Sequence, residues 1–336
     1  MFITKDFEQF KNRFVTQLRD MLSDDEPGVF ILVLANSQQD KFLSDALNKS
    51  LENTFTALKN NFSVVSQHST QDDINIFIKL QDISLKDTPL WQSKTIDHWE
   101  VVFNAMRQLR PARVSTRTFA SIKQDFDDSE FHFNKPFLKP EILWEGECQD
   151  KRVRVLYNKF PFCDYHLLLA VSPEENSSQL LEREIHQYIF SLIQNGAKIF
   201  PGFGVGFNSL AAGASVNHLH FQGFIREGLF PIENDVWKHN GGDKDYPLQV
   251  KVFTDAETSW QYINQLTEKD LAFNCLYRQH ACYVIPRKYQ GTVELPDWLQ
   301  GAGWLDVSGV MTVSDEQTFS SIDQQSVTRA LRLLSI

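Results

Sequence analysis

Paired cysteines are missing from this chain. Cys148, Cys163, Cys275 and Cys282 form no C-x-x-C element, so neither a disulfide framework nor a zinc-knuckle pattern is present. No stretch reaches the roughly 20 apolar residues that a membrane-spanning helix requires. The opening "MFITKDFEQFKNRF" is charged and amphipathic, with no apolar core ahead of a small-residue cleavage site. These absences read as a reduced, soluble, cytoplasmic protein. Positive charge is also short, with 33 Lys and Arg against 43 Asp and Glu and a net charge of -10. That balance argues against bulk binding to duplex nucleic acid or an anionic membrane. A small phosphate-bearing ligand is still compatible, because a few local donors suffice for it.

What is abundant is aromatic and apolar. Hydrophobic residues make up 42% of the 336 positions, and 27 are Phe, which indicates a globular interior rather than disorder. Phe7, Phe10, Phe14, Leu18 and Leu22 recur at helical steps up to "DDEPG". "VFILVLA" (29–35) reads as a buried strand, and Leu47, Leu51, Phe55 and Leu58 mark one face of a helix. "INIFIKL" alternates like a strand, and Trp99, Val102 and Met106 suggest a helix that stops at Pro111. Residues 1–125 are therefore expected to be an α/β extension of unknown role.

From Arg152 the pattern sharpens. "RVRVLYN" and "YHLLLAVSP" read as strands, followed by "SSQLLEREIHQYIFSLIQNG" as a serine-capped helix. "FGVGFNS" and "SVNHLHFQGF" read as two further strands. The strand–strand–helix–strand–strand order predicts an antiparallel sheet with a packed helix. "LQVKVFT", an Asp255-capped helix, "AFNCLYRQ" and "ACYVIPRK" echo it, and a last helix is capped by Ser321 or Asp323. The expected fold is α+β, with residues 126–336 holding two related halves, about 150–224 and 248–290.

Residues two apart on a strand share a face, so His218, His220 and Gln222 point one way while Leu219 and Phe221 point the other. A solvent-exposed polar face would explain this equally well on spacing alone. The small run "GAS" at Gly213–Ser215, with Gly204, Gly206 and Asn208 before it, favours a site where backbone N–H groups approach a phosphate. Neutral imidazole is nucleophilic and departs readily once protonated, which suits transfer at phosphorus. Metal binding by H-x-H is the alternative, and it lacks further ligands in a recognisable pattern.

"FNSLAAGASVNHLHFQGF" resembles the catalytic strand of the histidine triad superfamily, in the galactose-1-phosphate uridylyltransferase-like branch, where glutamine replaces the third histidine. "NHLHFQ" and the tail "LDVSGVMTVSDEQTFSSID" are most similar to GDP-hexose phosphorylases. "NKFPFCDYHLLLAVSPEE" is similar to a stretch of the diadenosine tetraphosphate phosphorylases. It also resembles the Asn-Asp-Phe-Pro loop of the uridylyltransferases, with Lys159 in place of Asp.

The resemblance implies a HIT-like fold and cleavage of a nucleoside diphosphate-sugar, or of a dinucleoside polyphosphate, through a nucleotidyl-histidine. His220 matches the nucleophile, the main chain of His218 fixes its tautomer, and Gln222 holds a phosphoryl oxygen. Asn208, Gly213 and Ser215 match the phosphate seat, Asn158, Lys159, Phe160 and Pro161 the nucleoside loop, and His166 a histidine of the adjoining strand. The implied partners are a nucleotide or nucleotide sugar and inorganic phosphate or a sugar phosphate. No cofactor or metal is expected. Members of this branch often dimerise, so a homodimer is carried as an expectation. A silent nucleotide-binding regulator stays open as the non-enzymatic alternative.

Several charged residues stay open between a binding role and a solvated surface. They are Arg287 and Lys288 at a strand end, Arg110 and Arg113 around Pro111, and Lys135. His239 and His280 are read as loop residues, and Cys163 and Cys282 as small core residues.

Overall fold

The computed structural model describes residues 3–24, 26–66, 69–82, 85, 88–110 and 118–336. Arg113 and Pro111 therefore lie outside the described residues. The chain opens with five helices: α1 (Phe7–Met21), α2 (Pro27–Ser37), α3 (Lys41–Asn60), α4 (Phe62–Val65) and α5 (Gln71–Gln81). Asp6, Asp40 and Thr70 cap α1, α3 and α5 with side-chain bonds to backbone N–H groups, as short polar N-caps do.

Two segments expected as strands are helices. "VFILVLA" lies in α2, buried on every side except at Gly28. An apolar run buried all round carries no period that separates helix from strand, and Pro27 at the first turn favours the helix. "INIFIKL" lies in α5, where Ile76, Phe77 and Leu80 face inward; the Thr70 cap decides against the alternation. The converse correction falls at Trp99, which begins strand β2 (Trp99–Phe103), paired antiparallel with β1 (Gln92–Ile96). Met106 then sits in a 3-10 turn, Ala105–Leu109.

The main sheet has eight strands, all antiparallel. Its members are β3 (Ile142–Cys148), β4 (Lys151–Tyr157), β5 (Leu167–Val171), β6 (Phe203–Asn208), β7 (Phe221–Ile225), β8 (Lys251–Phe253), β9 (Ala272–Arg278) and β10 (Ala281–Arg287). They run in the order β3-β4-β5-β7-β6-β9-β10-β8. Strands β3–β7 meet strands β8–β10 where β6 pairs with β9. The long helices α6 (Arg183–Gly196) and α7 (Ala256–Glu268) pack together. This is the α+β antiparallel architecture expected. After the sheet come α8 (Trp304–Val307), β11 (Val310–Val313), α9 (Glu316–Ser321) and α10 (Gln324–Leu333). Asp323, not Ser321, caps α10. Strand β11 pairs in parallel with β2, so the three-stranded sheet β1-β2-β11 joins the beginning of the chain to its end.

Two expected elements are shorter than their patterns. Helix α6 starts at Arg183 and not at the serines. Strand β7 starts at Phe221, so His218 and His220 precede it. Both shifts have one cause. The Gln179 side chain accepts from His220 N (2.8 Å) and donates to the carbonyl oxygens of His220 (3.0 Å) and Asn208 (2.9 Å). Leu219 N bonds Ser177 O at 2.8 Å. The segment before α6 thus serves as a substitute ladder partner for the residues before β7.

The Phe-rich face of α1 is anchored on the sheet. Phe14 lies 4.8 Å from the Tyr157 ring and 5.3 Å from Tyr165, and Phe10 lies 5.6 Å from Phe200. The Tyr157 hydroxyl donates to Phe14 O at 2.8 Å. No helix among the described residues is long and apolar enough to cross a membrane. Phe14→Ala, which empties the centre of this cluster, is expected to lower the unfolding free energy by about 3–5 kcal/mol. Denaturant unfolding followed by circular dichroism measures it; a loss under about 1 kcal/mol would show that α1 is not held by these rings.

Candidate active site

A cleft of about 1020 Å³ opens between the helical layer and the main sheet. His220, Gln222, Asn208, Gly213, Ser215, Asn158, Lys159 and Phe160 all line it. His218, His166 and Pro161 lie behind its wall. Positions scattered over 65 residues of sequence are thus gathered in one place.

His220 is almost fully buried, and its Nδ1 lies 2.8 Å from the His218 carbonyl oxygen. A carbonyl oxygen only accepts, so Nδ1 carries the proton and Nε2 keeps its lone pair. No described residue bonds that Nε2. Burial lowers the pKa of His220 to about 4, so the ring is neutral at pH 7. The His218 side chain has a different task. Its Nδ1 accepts from Phe133 N (3.1 Å), its Nε2 donates to Pro173 O (3.1 Å), and its ring stacks on Phe133. Phe133 also leans on the His220 ring, at 4.9 Å between centroids.

Two amides face the cleft with defined polarity. Gln222 Oε1 accepts from the Trp304 indole N–H at 2.7 Å. Asn208 Oδ1 accepts from the Trp304 backbone N–H (2.7 Å) and from Asn274 Nδ2 (2.6 Å). With both oxygens occupied, Nε2 of Gln222 and Nδ2 of Asn208 are left as donors, and the Gln222 amide also interacts with the buried His166 ring.

Gly213 has φ +98°, and a Cβ there would sit 2.7 Å from Ala302 O, so the turn tolerates only glycine. Gly204 and Gly206 correct the expectation of a phosphate approach. A Cβ at Gly206 would lie 2.1 Å from the Trp304 ring and one at Gly204 2.5 Å from Phe224. The space those glycines open is filled by these two rings, which stack 5.0 Å apart.

The Asn158–Pro161 loop is held from several sides. Asn158 Oδ1 accepts from Phe160 N, and Asn158 O accepts from Asn36 Nδ2 of α2, both at 2.9 Å. Lys159 forms an ion pair with Asp73 of α5. Pro161 O accepts from Asn104 Nδ2. His166 is wholly buried, with Nε2 3.3 Å from Asn158 Nδ2 and Nδ1 accepting from Phe162 N at 3.3 Å. Burial first, and then the positive charge of Arg107, brings its pKa down to about 3.

Sequence reasoning missed Gln179, Trp304, Phe133, Arg107, Asp306 and Glu141, of which all but Gln179 and Trp304 line the cleft. Glu141 is pushed up to about 7 by burial, against the opposing pull of Lys159. Other candidates fall away from the site. Arg287 is buried with Nη1 on Ala302 O, Lys288 reaches Leu333 O, and Lys135 reaches Asp128 O. His239 donates to Ile232 O.

With this geometry in place, relatives identify the neighbourhood of the fold. Residues 98–224 match the family of GDPGP1-like N-terminal domains. The matched span includes the Asn158 loop, Asn208, the Gly213 turn and the His220–Gln222 pair. GDP-D-glucose phosphorylase 1 of Danio rerio is 38% identical over 115 residues, 34% of this chain and 33% of that protein. The Homo sapiens protein of the same name is 34% identical over 127 residues, 35% of this chain and 32% of that one. GDP-L-galactose phosphorylase 1 of Arabidopsis thaliana is 29% identical over 126 residues, 33% of this chain and 28% of that protein. The matches thus span about a third of these curated relatives. The crystal structure of yeast Ap4A phosphorylase Apa2 shares the fold, with a TM-score of 0.54 and 17% identity over 79% of this chain and 94% of that one. The resemblance to the histidine triad superfamily and its GDP-hexose phosphorylases, carried by "NHLHFQ", therefore holds.

Two outcomes follow from the packing. Gly206→Ala is expected to expel the Trp304 ring and cost about 1–3 kcal/mol. Added to Trp304→Ala it should cost much less than when introduced alone, and a double-mutant cycle measures this coupling; strict additivity would refute the seating.

The second outcome concerns pH. Burial depresses His186, His218 and His220 to about 4, and burial with Arg107 depresses His166 to about 3. The unfolded chain protonates the same rings near 6.5. Below pH 6.5 the unfolded state therefore binds more protons, and stability falls as pH falls towards 4. Each ring contributes a slope of about 1.4 kcal/mol per pH unit in that window. Unfolding free energies at pH 7.5, 6.5, 5.5 and 4.5 test it; a flat profile from 6.5 to 4.5 would contradict these protonation states.

Proposed function

We propose that this chain is a nucleotidyltransferase that cleaves a GDP-hexose-like nucleoside diphosphate-sugar through a covalent nucleotidyl-His220, with phosphate or a sugar phosphate as acceptor. One observation carries this reading. A neutral histidine with Nδ1 committed to a carbonyl turns an unbonded Nε2 into a cleft where two oriented amides offer N–H donors. The names of the relatives, phosphorylases of GDP-sugars, support the substrate class.

In the first half-reaction Nε2 attacks the α-phosphorus. The bond from phosphorus to the bridging oxygen breaks, and a sugar 1-phosphate departs. Its phosphate oxygen leaves as a stable anion and needs no proton from the protein. In the second half an acceptor oxygen attacks the same phosphorus, the P–N bond breaks, and His220 returns to its neutral form. Gln222 Nε2 and Asn208 Nδ2 would hold the non-bridging oxygens, whose charge grows in each transition state. An amide in place of a third histidine cannot deprotonate water, which favours transfer to phosphate over hydrolysis.

The nucleoside would lie along the Asn158–Pro161 loop, where Leu138, Leu156, Leu168 and Val216 give the cleft an apolar side. Phe131 and Phe137, 43% and 63% exposed at its rim, present ring faces for a base. Residues 126–336 would then be the transfer domain and 1–125 an extension whose α2 and α5 complete the nucleoside wall. The absence of cysteine pairs and the acidic balance fit a cytoplasmic enzyme of the uridylyltransferase-like branch, and a homodimer would follow its relatives.

Brief incubation with GDP-hexoses, other nucleotide sugars and diadenosine tetraphosphate, without phosphate, is expected to add one nucleoside monophosphate mass to the protein. The adduct should be acid-labile, absent in His220→Ala, and discharged by phosphate as a nucleoside diphosphate. Adduct formation from the dinucleotide alone would reassign the substrate. Nucleotide binding without adduct or turnover would identify a silent binder instead.

A further inference from the structure

One wall of the cleft carries two arginines. Arg107 and Arg110, at the end of β2 and its 3-10 turn, both line the cleft. Arg107 Nη1 donates to Phe160 O at 3.3 Å, and its guanidinium lies 5.1 Å from the Phe162 ring centre. Neither arginine forms an ion pair with a described residue. Behind them Arg287 is 1% exposed, with its Nη2 buried and unpartnered. The carboxylate that acts on all three guanidiniums is Asp306, and its Oδ2 is already engaged by Gly303 N.

Burial lowers Arg110 to about 9, and the charge of Arg107 adds to the shift. Desolvated like charges side by side are unfavourable, and an arriving anion relieves the repulsion. The pair also acts on the buried His166, which interacts with both Gln222 and Asn158, so the positive wall borders the Asn158–Pro161 loop that Arg107 touches at Phe160.

We infer that Arg107 and Arg110 form an anion subsite for a phosphate dianion, which seats the departing sugar 1-phosphate and then the inorganic phosphate that replaces it. The inference rests on the nucleotidyl-transfer reading for its place in the reaction, but not for the binding itself. In the first step the bridging oxygen leaves with the electron pair of its bond to the α-phosphorus, and the subsite takes up that charge. In the second an oxygen of the seated phosphate forms the new bond as His220 Nε2 recovers its pair.

The test titrates inorganic phosphate and, separately, a hexose 1-phosphate into the full-length protein and into Arg107→Gln, Arg110→Gln and Arg107→Lys, by calorimetry. Each Gln variant is expected to weaken both anions at least tenfold, while Arg107→Lys keeps most of the affinity and unfolds at the wild-type temperature. Weakening of the sugar phosphate alone would restrict the subsite to the leaving group and overturn the shared seat. Equal affinities across all variants, or no phosphate binding by wild type, would overturn the inference outright.

A second measurement separates the two readings. Discharge of a preformed adduct by subsaturating phosphate should slow at least tenfold in Arg110→Gln, and saturating phosphate should restore most of the rate. Unchanged phosphate discharge would sink the subsite and leave the transfer reading intact. Arginine-dependent phosphate binding without any adduct would leave the subsite standing and sink the transfer reading.

Discussion

The seat of Trp304 is the constraint from which the polarity of the cleft descends. Its ring fills the groove opened by Gly206 and stacks on Phe224, while its two N–H groups reach the side-chain oxygens of Gln222 and Asn208. An amide left to itself turns either end towards a ligand. Here both carbonyl ends are already spent on one residue, so both nitrogen ends are available to an anion. The pre-orientation costs nothing when a substrate arrives, which is how fixed dipoles stabilise developing charge. A residue that touches no reacting atom thus determines what the reacting atoms meet.

The protonation state of His220 is fixed with the same economy. The His218 carbonyl selects one tautomer, the bracket of Gln179 holds the backbone on both sides, and burial excludes the charged form. His218 shows how a residue contributes through two separate parts. Its main chain orients the neighbouring imidazole, while its ring, bonded at both nitrogens, clamps Phe133 and the Pro173 turn. Replacing that ring would disturb the wall of the cleft without removing the carbonyl.

Much of this was legible in the sequence, and the exceptions share a cause. Alternation from Arg152 onward located β4, β5, β6 and β7, and the spacing of His220 and Gln222 picked out the residues that line the cleft. Short-range pattern failed at α2, whose residues are apolar on every side, and at α5, whose alternating isoleucines imitate a strand. It failed again wherever the decisive partner is remote. Gly204 and Gly206 look like ligand-approach glycines until the rings of Phe224 and Trp304 are known to occupy the space. Gln179 reads as one more polar residue ahead of a helix. Arg107 lies in a stretch whose period suggested a helix, and nothing local marks it as facing a cleft. Side-chain chemistry is local and can be read from sequence, whereas vacancy is a property of the assembled fold.

Strand β2 has one partner immediately before it and another, β11, about two hundred residues later. During synthesis its second edge therefore stays open until nearly the whole described chain has emerged. The arginines that follow β2 and the tryptophan that precedes β11 come from opposite ends of that interval. The helical layer and the first half of the main sheet can pack early, but the wall facing them is completed only when the two ends meet. Completion of the β2–β11 pairing and of the pocket thus go together, so a nascent or truncated chain would hold His220 without the amide orientation that Trp304 imposes.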